Sequence, residues 1–171
     1  MSSLSGFCHW LADTQGSIAL RESIWTYPLV ESVHVLTLTV FGGLTVLVDL
    51  RLVGAALGAT PVSELLRRLL PWMIGGFLVM FASGLLLFYA VPVRTSGNVF
   101  FRLKVVLLLA AGLNAALFHV MAARTLPAWD RERSPPWRAR LAGGLSLALW
   151  AAIVICGRMT AYDWFDADPA S

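Results

Sequence analysis

Four stretches of this chain, residues 28–53, 70–92, 101–123 and 139–162, stay apolar long enough to cross the hydrocarbon core of a bilayer, which takes about 20 residues of α-helix. A backbone in lipid must satisfy its own N–H and C=O groups, so each run is predicted to be a helix rather than part of an open sheet. Composition removes the alternative of four helices buried in a soluble domain. Hydrophobic residues make up 58% of the chain, charged residues 13%, and the mean hydropathy is +0.73, whereas soluble domains hold roughly 45–50% apolar and about 25% charged residues. A soluble fold of 171 residues could not hide that much apolar surface. The same richness excludes disorder, and two cysteines, Cys8 and Cys156, make no disulfide scaffold. The predicted fold class is all-α: a four-helix transmembrane bundle running up-down-up-down.

The remaining segments divide the chain into an N-terminal interfacial segment (1–24), the four-span membrane domain (25–162) and an acidic C-terminal tail (163–171). Leu4, Phe7 and Leu11 suggest a short amphipathic helix lying on the membrane, with a turn around 14–17. Without a basic start or a sustained apolar core, this segment is expected to be retained rather than cleaved as a signal. In the first loop Thr60 suits an N-cap and Pro61 a first helical position, predicting a short interfacial helix, with Pro71 marking a bend before span two. Residues 94–98 read as a tight turn. Residues 124–138, carrying Pro127, Pro135, Pro136 and charges of both signs, read as an exposed loop.

Eight basic residues, Arg51, Arg67, Arg68, Arg124, Arg131, Arg133, Arg138 and Arg140, fall on the side of the first and third loops. The other five, Arg21, Arg94, Arg102, Lys104 and Arg158, fall opposite. This asymmetry puts both termini outside, periplasmic for a bacterial inner-membrane protein. Trp25, Tyr27, Tyr89, Tyr162 and Trp164 would form one aromatic belt, and Trp72, Trp129 and Trp137 the other. The scattered arginines form no basic stripe, so the lipid bilayer, not nucleic acid, is the expected partner. Glycine pairs recur at near-constant offset, Gly42-Gly43 against Ala111-Gly112 and Gly75-Gly76 against Gly143-Gly144, as duplicated hairpins would give. Chance recurrence of small residues at helix contacts gives the same pattern, and either way close helix approach is expected there.

Ionisable residues inside spans are costly and turn toward a partner or a function. His34, about two turns into span one beside Glu31, is the candidate ligand for metal or haem iron. The competing reading is a structural histidine bonded to Glu31 or a backbone carbonyl. Lys104, Arg158 and Tyr162 fall at similar depth, and a nearby lysine or arginine could receive haem propionates. Arg158 could equally snorkel to lipid phosphates or pair with Glu31. His119 shares a face with Ala111, Ala115 and Ala123 and is expected to meet another helix. It lies about 11 residues, roughly 16 Å, from the depth of His34, so the two cannot clasp one haem. Asp49 is expected to cap or to bond an adjacent helix, with a proton relay as the alternative, and Arg51 to snorkel. Cys156 should be a buried thiol, and Cys8 with His9 is too small a set for a metal site. No hydrolase or phosphate-loop motif is present, which leaves enzymatic function open only toward redox chemistry.

Ser23-Ile24-Trp25 through Pro28, 31–36, 49–54, Phe101-Arg102-Leu103-Lys104 with Asn114, and Gly157-Arg158 with Tyr162 resemble an uncharacterised family of small bacterial four-helix inner-membrane proteins. More distantly the pattern is similar to copper-resistance D-type and cytochrome b-like membrane proteins. The resemblance implies the four-span fold and carries His34, Lys104 and Arg158 as matching positions. It implies either metal handling or haem-based electron transfer; the expectations that follow are haem b passing electrons to quinone, or copper or small-solute transport. A third expectation is an accessory subunit of a larger membrane complex.

Overall fold

A computed structural model of the chain describes residues 3–162; the acidic tail and Trp164 lie outside the described residues. Seven helices follow in order: α1 (Ser3–Ala12), α2 (Gln15–Glu22), α3 (Thr26–Val53), α4 (Val62–Ala90), α5 (Pro92–Gly97), α6 (Val99–Trp129) and α7 (Trp137–Met159). Helices α3, α4, α6 and α7 are the four spans. Only 17–22% of the most apolar stretch of each is buried inside the protein, so most of their apolar surface is left for lipid, as the all-α transmembrane bundle requires. Helix α3 is the shared neighbour, packed on α4 and α7, while α6 packs on α7. One end of the bundle carries α1, α2 and α5 (the terminal end); the other carries the 54–61 and 130–136 connections (the loop end).

Gly143 is the tightest seam between the spans. A Cβ there would stand 2.8 Å from Leu52 Cβ and 3.0 Å from the Asp49 carbonyl oxygen, so α7 lies on α3 closer than a side chain allows. Gly76 likewise faces Phe41 at 3.4 Å. The other glycines of the recurring pairs, Gly42, Gly43, Gly75, Gly112 and Gly144, meet nothing within 4 Å, which corrects the expectation that all of them seat helix contacts. The apolar core gathers at the loop end, where Val48, Leu52, Val62, Leu65, Phe118, Ala122, Trp129 and Ala139 pack together.

Three helix boundaries differ from those expected. Helix α4 starts after Pro61 but runs through Pro71 into span two without a break. Its cap is not Thr60: the Asp130 carboxylate accepts from the Ser63 N–H at 2.7 Å and from the Ser63 hydroxyl, and its carbonyl accepts from the Val62 N–H. Helix α6 continues to Trp129, because that indole is buried in the core and donates to Thr125 Oγ1. Only the residues that follow form the connection, and Trp129 is no belt residue. In place of a bare turn, 92–97 form α5, after which Asn98 caps α6 by accepting from the Phe100 and Phe101 N–H groups.

Arg51 does not snorkel. It is fully buried, donating Nε to the Thr60 carbonyl at 2.8 Å and Nη2 to the Glu132 carbonyl at 2.9 Å. Arg51 itself lies in the last turn of α3, the negative end of that helix's dipole, which favours a cation there.

The N-terminal helices dock on protein as well as facing the membrane. Thr14 caps α2 and meets the Tyr89 hydroxyl at 2.7 Å, and Ser17 donates to the Tyr89 carbonyl at 2.8 Å. Phe7, Trp10, Ile24 and Trp25 remain exposed, as anchors at a lipid interface do.

Candidate functional site

The antiparallel order of the spans brings one polar group from each to a single layer in the terminal-end half. His34 lies about two turns into α3 and Ser83 about two turns before the end of α4. Lys104 lies in the second turn of α6, and Cys156 with Gly157 in the last turn of α7. His34 Nδ1 and Ser83 Oγ are 2.9 Å apart. Gly84 makes that approach possible, since a Cβ there would stand 3.2 Å from His34 Cε1. Across the layer the Lys104 side chain runs along Gly157, with Nζ 3.4 Å from where a Cβ would be. Lys104 is within electrostatic reach of both His34 and Cys156.

The serine anchors the histidine ring. Ser83 Oγ is 2.7 Å from the Val79 carbonyl and 3.1 Å from the Met80 carbonyl, and its single proton goes to these acceptors. With that proton so engaged, Ser83 Oγ can accept from His34 Nδ1–H. In that tautomer Nε2 carries a lone pair, able to ligate a metal or accept a proton. The partner of His34 is thus Ser83 on a neighbouring helix rather than Glu31, which is exposed.

Arg158 and Tyr162 form a pair at the rim. Arg158 Nη2 donates to the tyrosine hydroxyl at 3.0 Å and its guanidinium lies 5.3 Å from the ring centroid. Arg158 is exposed, facing outward one residue beyond Gly157, while Lys104 is the cation inside the layer. His119 is exposed on α6 alongside Gly112, Ala115 and Ala123, while Ala111 is buried. The expected shared face is split, and the histidine turns away from the bundle. Cys8 and Cys156 are both buried free thiols.

A histidine whose second nitrogen is held by a hydrogen bond has the arrangement of metal-ligating imidazoles. The Lys104 ammonium beside it suits an anionic group and opposes a bare metal cation. Among the described residues no three His, Cys, Asp or Glu side chains gather as a metal site. The groups that could hold a ligand in this layer are one imidazole, on Ser83, and the Lys104 ammonium. Ser83 and Gly84 escaped the sequence reading, although a Ser-Gly pair inside an apolar run at the depth of His34 was a usable signal.

Fold and site together define a four-span integral membrane protein with a polar layer in one half of its interior. The chain belongs to a family of unknown function, DUF6644, whose profile matches residues 9–163. No curated protein and no solved structure matches it.

Proposed function

We propose that this is a redox protein of a bacterial cytoplasmic membrane, with both termini periplasmic, in which His34 is the axial ligand of haem b and Lys104 pairs with a propionate. The observation that carries this reading is the Ser83 anchor, which engages Nδ1 and leaves Nε2 as the ring nitrogen for a ligand. The likeness to cytochrome b-like bundles and the arginine excess at the loop end support cofactor and orientation. Bound haem would supply one-electron chemistry between a periplasmic donor and quinone. Ser83 and Gly84 would hold the ring, and the surrounding apolar helices would exclude water. Purified protein is expected to show a Soret band that His34→Ala abolishes and Ser83→Ala shifts. Colourless protein from cells with normal iron supply overturns the reading.

The outward-facing His119 favours a second role, as a subunit of a larger membrane complex. A polar residue on a small-residue face in lipid finds its partner in another helix. Co-purification in mild detergent that His119→Leu weakens would support it, and a strictly monomeric preparation would count against it. Copper or small-solute transport has less support, because the ammonium of Lys104 stands beside the ligating histidine.

A further inference from the structure

A second polar layer lies toward the loop end of the same bundle. Between the two layers sit aromatic rings: Phe41 meets Trp150 edge-on at 5.0 Å and Phe77 at 6.0 Å. Beyond them Asp49 projects from α3, about 22 Å along the helix from His34. Asp49 is 4% exposed, and Ser146 of α7 is the polar side chain that faces it. Its Oδ2 is buried without any partner. The contact at Gly143 closes α7 over the Asp49 backbone, and Thr45, one turn away on the same face, is buried as well.

Among the described residues no ion pair answers this carboxylate. Among the described residues the side-chain ion pair is Arg68 with Glu64, at the surface. Arg51, two residues on, turns to the Thr60 and Glu132 carbonyls. On α7, Arg138 and Arg140 are exposed at its first turn, as are Arg67 and Arg68 on α4. From α7 the side chain facing Asp49 is the neutral Ser146. A carboxylate kept from water without a counter-charge is not a stable arrangement, so the charge is met by something the chain does not itself provide.

We propose that Asp49 is the anionic ligand of an exchangeable site for one positive charge, a proton or a sodium ion, with Ser146 of α7 facing it. The site is separate from the His34 layer and does not depend on what that layer binds.

The test is thermal unfolding of the full-length protein in detergent, with sodium exchanged for potassium at constant ionic strength, and separately between about pH 5 and pH 8. While the site is unsaturated, a tenfold rise in its occupant should shift the unfolding equilibrium by up to about tenfold. Dependence on sodium but not potassium identifies the ion. Dependence on pH, with a carboxylic acid C=O infrared band that Asp49→Asn removes, identifies the proton. Asp49→Asn should fold and lose the dependence. Should it not fold, Ser146→Ala should retain the dependence at weakened affinity. Wild-type stability indifferent to both variables, or a dependence that persists in Asp49→Asn, overturns the proposal. His34→Ala should leave the dependence intact, so failure of the haem reading is read independently.

Discussion

Replacing Arg51 with methionine would keep apolar bulk while removing every donor, leaving the Thr60 and Glu132 carbonyls without their buried partner. Because hydrogen bonds from a charged group are worth more than neutral ones, the loss is expected to be about 3 kcal/mol. Denaturant unfolding in detergent would measure it; a surface-snorkelling arginine would give almost nothing. At the other polar layer, Gly84→Val would drive a branched side chain against an imidazole that already allows a Cβ only 3.2 Å. The expected cost is about 1–3 kcal/mol, together with the same shift in any haem absorption that Ser83→Ala produces. His34 was legible in the sequence because an ionisable group inside an apolar run stands out alone. Its partner was not, because which residue of α4 faces it depends on helix rotation and register. Arg51 was misread for a related reason: its acceptors are backbone carbonyls of distant loops, which any sequence could supply.

The spans themselves were legible as elements, since length and apolarity suffice to choose helix over sheet in lipid. Their ends were not. Prolines at 71 and 127 suggested boundaries, yet α4 and α6 run through both, because packing of the loop-end core outweighs the single hydrogen bond each proline removes. Helix α4 relies on Asp130 for its cap, and the carboxyl titrates accordingly. Burial pushes its pKa up, but the Ser63 hydroxyl and N–H, the Val62 N–H and the charge of Arg131 outweigh that and hold it below the usual carboxylate value. A folded-state pKa below the unfolded value of about 3.9 stabilises the protein fully above that pH, and the stability is lost as pH falls through the folded pKa. Asp130→Asn is expected to flatten this acid limb. At neutral pH it should cost about 1 kcal/mol or less, since asparagine also caps. Unfolding midpoints measured across the acid range would check both.

Across the whole molecule the interior alternates: a polar layer at His34, aromatic rings at Phe41 and Trp150, a polar layer at Asp49 and an apolar core at the loop end. The N-terminal helices extend this body at the terminal end. Gly16→Ala would place a methyl 2.5 Å from the Tyr89 hydroxyl. It is expected to loosen that docking, seen as faster proteolysis before residue 26 with the spans still protected. The borrowed cap of α4 also orders events during synthesis. Its acceptor lies 67 residues downstream of Ser63, beyond the whole of span three. The first hairpin therefore enters the bilayer with the leading turn of its second helix unfinished, and the ribosome must deliver a third crossing before that turn can set.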